Sequence, residues 1–277
     1  MLMSFVNIVV AHALEAKPLV KMLGMEKDSA SHAYPIYKNK KGECLIISGI
    51  GKEASISATS YLANIQQEST NILPAWLNLG IAGHQSLALG ELIHANKITE
   101  YSSGLSLYPP MLVTGFNTDR VITVDEPELK YPENAAYEME AFGFYSTATR
   151  FISSELVQVL KIVSDNSDNH VHELDFAAIP GWFSKQQDGI VGMMQQLDEL
   201  AKEYNAVNQL PEEYYKLLDR CNFSVTQTIQ LKRLFQRYRA LGRSSELTPV
   251  ITKHNVRAKK ILLDLNSKLN SIQSELK

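Results

Sequence analysis

The stretch Gln158–Asp168, QVLKIVSDNSD, restricts the possible architectures more than any other part of the chain. Its apolar run, Val159, Leu160, Ile162 and Val163, stops abruptly at Ser164, Asp165, Asn166, Ser167 and Asp168. The run is too short for a helix and suits a strand buried on both faces. The polar cluster reads as strand end, turn and helix start, with Ser167 or Asp168 as the N-cap. In an open α/β sheet, ligands bind beyond the carboxyl ends of the strands, and Asp165 falls there. A turn-forming aspartate is the competing reading of the same residue.

Similar runs recur upstream. Val6–Ala11 is a strand followed by Glu15 and a short helix around Pro18–Leu23. Tyr34–Lys38 and Glu43–Ser48 form two more strands joined by the turn Asn39–Gly42. Ser48–Lys52, SGIGK, leads into a helix over Glu53–Gln66 whose small residues permit close packing on a sheet. A Gly-rich turn in that position offers backbone N–H groups to an anion, but the spacing is neither a Walker motif nor a dinucleotide fingerprint. Ala75–Leu79 is a buried strand running into a second Gly-bearing turn, Gly80–His84, and Leu89–Ala95 continues as a strand. Met111–Thr114 is strand-like and closes on Gly115 and Phe116; Asp125–Asn134 is loop. Tyr137–Glu140 opens a helix over Ala141–Phe151, Pro180–Trp182 is a break, and Asp188–Tyr204 is a helix. Alternating strands and helices predict an α/β layered fold, with the Gly-bearing turns collected at one end of the strands.

Charge divides the chain. The segment 210–277 holds thirteen Lys and Arg against six Asp and Glu, whereas the whole chain has 27 basic and 30 acidic residues. That asymmetry predicts two units, residues 1–209 and a basic helical extension over 210–277. In the extension, Leu231, Leu234, Phe235, Tyr238 and Leu241 share one helical face, and Leu262, Leu265, Leu269, Ile272 and Leu276 form a heptad-like stripe. An appendage packed on the domain or across a dimer is the plain reading; polyanion or nucleic-acid binding is the sharper one. The net charge of -3 gives no whole-chain signal for nucleic acid. Two distant cysteines indicate a reducing compartment, and the short apolar run after Asn7 reads as a first strand rather than a signal peptide, so a cytoplasmic protein without a membrane span is expected. His170 and His172 have strand-like spacing but no completing ligand pattern, so neither a metal nor another cofactor is expected.

Four pieces taken together resemble the nucleoside phosphorylase and nucleosidase superfamily, most of all the methylthioadenosine/S-adenosylhomocysteine nucleosidases. They are Ala13-Leu14-Glu15, SGIGK at Ser48–Lys52, NLGIAG at Asn78–Gly83 followed by LGELI, and EMEA at Glu138–Ala141 with Ser164-Asp165. The likeness spans roughly residues 5–205. It implies a single α/β domain whose mixed, partly barrel-like central sheet is flanked by helices. It also implies cleavage of the N-glycosidic bond of a purine nucleoside such as methylthioadenosine or S-adenosylhomocysteine, and a homodimer or higher homo-oligomer.

By that resemblance Asp165 protonates the purine at N7, Glu15 activates water, Glu140 bonds the ribose hydroxyls and Met139 packs on the sugar. Ser164, Ile81 and Gly83 line the same site, and Phe116 is placed to stack the base. Cleavage through an oxocarbenium-like state requires one carboxyl protonated and another ionised, hence environments that push their pKa values apart. Ile81 stands where the nucleosidases carry a serine that holds the nucleophile, and the stretch between Glu100 and Met111 is shorter than theirs. No Arg lies near Asn78–Gly83, which favours hydrolysis over phosphorolysis, although Lys52 remains available to an anion. A purine nucleoside phosphorylase and a degenerate nucleoside-binding regulator are the alternatives. Glu138 reads as a solvated or helix-start charge, His12 and His84 as pocket-lining or structural residues, and Trp182 and Phe183 as core or lid.

Overall fold

The computed structural model describes residues 6–30, 32–67, 72–208, 210–247 and 257–275. The chain folds as two compact units, Met1–Tyr204 and Asn205–Lys277.

The first unit is built on one mixed sheet. β1 (Val6–Val10) lies between β4 (Cys44–Ile47) and β5 (Ala75–His84), parallel to both. β5 pairs in parallel with β10 (Val157–Asn166). All of β10 is buried, Lys161 included, as the apolar residues on either side of that lysine require. The sheet then curls. β10 pairs antiparallel with β6 (Leu92–Glu100), β6 in parallel with β8 (Thr118–Thr123), and β8 in parallel with β9 (Ala136–Glu138). β9 returns antiparallel to β5, so five strands close a ring. The short strands β2 (Glu26–Lys27) and β3 (Ile36–Lys38) extend the open edge beyond β4, and β7 (Ser106–Leu107) pairs with β6. This is the mixed, partly barrel-like sheet that the resemblance implied.

Helices α1 (Ala13–Met22), α2 (Lys52–Gln67), α3 (Ala141–Ala148), α4 (Ile179–Lys185) and α5 (Gln187–Asn208) accompany the sheet. The core is one cluster that includes Ile8, Leu45, Leu77, Leu160, Phe144 and Met193. Gly143 lets α3 approach α2, since a Cβ there would stand 2.5 Å from the Lys52 carbonyl oxygen.

Five local expectations are corrected. Gly80–His84 is not a turn but the second half of β5, held by β10 on one side and β9 on the other. No helix starts at Ser167 or Asp168: β10 runs on to Asn166, whose side-chain oxygen accepts from the Asp168 and Asn169 N–H groups in a tight turn. Tyr137 and Glu138 belong to β9, so the helix begins only at Ala141. Met111–Thr114 is not a strand; the strand is β8, seven residues on from Met111. Pro180–Trp182 lies inside α4, where a proline in the first turn gives up no helical hydrogen bond.

The second unit contains α6 (Glu212–Arg220), α7 (Val225–Ala240) and α8 (Ala258–Glu275). Ser224 and Gln227 form a capping box at the start of α7. Leu231, Leu234, Phe235 and Tyr238 pack with Leu262, Leu265, Leu269 and Ile272, matching the two stripes read from the sequence; Leu276 lies outside the described residues. The buried Tyr238 hydroxyl donates to the Leu265 carbonyl at 2.8 Å. Among the described residues, no helix is long and apolar enough to cross a membrane.

Candidate active site

Glu15 is placed by the turn that joins β1 to α1. His12 is the N-cap, and Glu15 three residues on completes a capping box. Its Oε2 accepts from the Ala11 and His12 N–H groups, both at 2.9 Å, and its Oε1 accepts from the Ile81 N–H at 3.1 Å. The side chain is fixed in a buried position. Burial pushes the carboxyl above its ordinary pKa, while these backbone donors and the nearby Lys161 ammonium pull it back.

Lys161 is the charge that the apolar run conceals. It is 1% exposed, and its Nζ lies 2.7 Å from Glu138 Oε2 and 4.0 Å from Glu140 Oε2. A Cβ at residue 80 would stand 3.1 Å from Glu15 Oε1 and 3.3 Å from Lys161 Nζ, so Gly80 leaves room for both groups over β5. Burial works against the ammonium, but attraction from Glu138, Glu140 and Glu15 outweighs it and holds the pKa above that of ordinary lysine.

Glu138 is not solvated. Its Oε2 accepts from the Glu140 and Ala141 N–H groups, at 2.9 and 2.8 Å, at the start of α3, and its Oε1 accepts from Thr123 Oγ1 at 2.6 Å. With Lys161 added, this carboxylate is fully engaged in the fold. Glu140 is held more lightly, by the Gly51 N–H at 2.8 Å. Its burial raises its pKa to about 7, against the pull of Lys161 and with the push of Glu138. Glu140 is thus poised to change charge near neutral pH.

Asp165 is aimed by a bulge. Val163 pairs with Ala82 and Asp165 with Gly83, so Ser164 is the extra residue in β10. The Asp165 carboxyl meets two hydroxyls: Ser164 Oγ donates to Oδ1 at 2.5 Å, and the Tyr131 hydroxyl donates to Oδ2. A Cβ at residue 83 would collide with Asp165 Oδ2 and stand 2.6 Å from the Tyr131 ring, so only glycine fits.

The carboxyls of Glu15, Glu138, Glu140 and Asp165 share one cavity of about 390 Å³. Its wall includes Glu15, Ile81, Gly83, Met139, Glu140, Ser164 and Asp165, together with His12, Tyr131 and Glu138. It is lined by the carboxyl-terminal halves of β5 and β10 and by the turn that follows β1. Of the eight site residues expected from the sequence, seven therefore converge, and Phe116 does not. Phe116 packs edge-on to His94, 5.8 Å between ring centres, and lines a separate pocket with Glu91, Asn117 and Gln186. The displacement follows from the absence of a strand at Met111–Thr114: the chain reaches Phe116 before β8 begins. His84 is fully buried and bonds Asp119 at 2.9 Å, with its Nδ1 accepting from two backbone N–H groups, so it serves the fold. Lys52 is engaged by Glu100 at 2.6 Å rather than held out to an anion.

Lys161, Glu138 and Tyr131 were missed as site residues. Lys161 did leave a signal, because a lysine inside an apolar run has to find a carboxylate. Tyr131, in a polar loop, left none.

No protein-family model and no curated protein matches the chain. Solved structures do. The 5'-methylthioadenosine/S-adenosylhomocysteine nucleosidase of Campylobacter jejuni superposes with a TM-score of 0.56 at 18% identity, covering 71% of this chain and 99% of that one. The Colwellia psychrerythraea enzyme, in complex with adenine, gives 0.55 at 18% identity over 71% and 97%. The Arabidopsis thaliana 5'-methylthioadenosine nucleosidase, in apo form, gives 0.55 at 14% identity over 70% and 97%. The chain thus has the nucleosidase fold over seven tenths of its length. At these identities the likeness is one of fold.

Proposed function

We propose that this chain is a purine nucleosidase-like hydrolase acting on methylthioadenosine, S-adenosylhomocysteine or a related nucleoside. The observation that carries the reading is the convergence of Glu15, Glu140 and Asp165 on one cavity of a nucleosidase-like fold. Asp165 delivers a proton to the purine, so the base leaves neutral as the C–N bond opens. The sugar passes through an oxocarbenium-like state. Glu15 takes a proton from the attacking water, and the Lys161 ammonium opposes the rise in pKa that burial imposes on that carboxyl. Glu140 bonds the ribose hydroxyls and Met139 packs on the sugar.

Among the described residues of the cavity wall there is no Arg or Lys to bind phosphate, which supports hydrolysis over phosphorolysis. We assign the reaction to residues 1–209 and treat 210–277 as an appended helical unit. On this reading the enzyme is cytoplasmic and works as a homodimer or larger homo-oligomer, which light scattering tests. The function is tested by a base-release screen over purine nucleosides with and without phosphate. Free base and free sugar in both conditions support it. Ribose-1-phosphate formed only with phosphate selects a phosphorylase, and no base in either condition overturns the enzyme reading.

A further inference from the structure

Both oxygens of Asp165 accept a hydroxyl, but the two hydroxyls are not equivalent. Ser164 Oγ has a second acceptor, the Ala82 carbonyl at 3.3 Å, besides Asp165 Oδ1 at 2.5 Å. It can turn its proton to Ala82 and accept from Asp165 instead. Among the described residues, the Tyr131 hydroxyl has only Asp165 Oδ2 as acceptor. Tyr131 is also locked in place. Its ring is buried, packed edge-on to Tyr137 at 5.9 Å and against Gly83, and its carbonyl accepts from the Gln85 side chain at 3.0 Å. Its φ of 44° is left-handed, a conformation that costs a bulky residue energy and persists only where the surroundings enforce it.

We propose that Tyr131 is a positioning residue for the base-protonating acid. Its fixed hydroxyl occupies Oδ2, steers the acid proton to Oδ1, where Ser164 can reverse, and sets how readily Asp165 takes that proton. The assignment rests on the proposed role of Asp165. The other titratable groups on the cavity wall are His12, Glu15, Glu128, Tyr137, Glu138 and Glu140. All of them remain when only the Tyr131 hydroxyl is removed, so the difference between the two proteins isolates it.

The test is Tyr131→Phe in the full chain, with circular dichroism as the check on folding. The Asp165 carboxyl is titrated by carbon-13 NMR in both proteins, its signal assigned by loss in Asp165→Asn. A donor lost from the ionised carboxylate disfavours that form, so the midpoint rises by about one pH unit. The alkaline limb of kcat/KM for base release, where the acid loses its proton, moves up by the same amount. Replacement of Tyr131 by 3-fluorotyrosine keeps the shape, strengthens the donor and lowers the midpoint; it decides the matter if the phenylalanine variant does not fold. Unchanged midpoints overturn the proposal. If no nucleoside is cleaved, the nucleosidase reading falls, while the NMR midpoints still judge the Tyr131–Asp165 pair.

Discussion

Glu140→Gln should make this protein more stable at pH 8 while impairing its function. In the folded chain the Glu140 carboxyl is raised from 4.5 to about 7. Between those values the folded state holds a proton that the unfolded state has released. Stability is therefore full below about pH 4.5 and is lost as pH rises through 7. At 1.36 kcal/mol per pH unit the gap amounts to roughly 3 kcal/mol. Glutamine mimics the protonated acid, its amide oxygen can keep the bond from the Gly51 N–H, and it never ionises. The variant should exceed the wild type by less than about 1 kcal/mol at pH 5 and by roughly 3 kcal/mol at pH 8. Urea unfolding followed by tryptophan fluorescence reads this directly, because both tryptophans, Trp76 and Trp182, lie in the first unit. A variant that is less stable at pH 8, or shifted equally at both pH values, would refute the reasoning. Loss of the proposed ribose contact should appear separately as a raised KM.

Other perturbations separate packing from charge. Lys161→Met removes the only ammonium bonded to Glu138 among the described residues, and unfolding should become easier by about 3 kcal/mol at pH 8. The loss should shrink at pH 5 as the neighbouring carboxyls take up protons; urea unfolding at the two pH values measures both. Gly83→Ala drives a Cβ into Asp165 and Tyr131, so stability should fall by about 1–3 kcal/mol and base release should fall far more, as paired unfolding and activity assays would record.

The parts of this molecule legible in sequence were those governed by local pattern. The apolar runs at Val6, Ala75 and Val159 became β1, β5 and β10, since only strands accommodate such short buried stretches. The carboxylates after β1 and at the end of β10 were found for the same reason: they follow the point where the apolar run ends. What escaped was set by pairing between distant segments. Gly80–His84 looks like a turn in isolation, and it is extended only because β10 and β9 flank it. Glu138 looks solvated until Lys161, Thr123 and the start of α3 surround it. Phe116 was placed by a strand that does not form, and Tyr131 reaches Asp165 by a loop whose course no local pattern records. In the second unit, by contrast, the heptad-like stripes sufficed, because helix packing repeats a local period.

The central claim is that Asp165 gives a proton to a leaving purine, and a comparison of leaving groups tests it most directly. Rates of bond cleavage are measured for wild type and Asp165→Asn with methylthioadenosine and with a 4-nitrophenyl riboside, whose phenolate departs without a proton. The account predicts a loss of about 10²-fold or more on the purine nucleoside and a much smaller one on the nitrophenyl riboside. Equal losses on both substrates would contradict it.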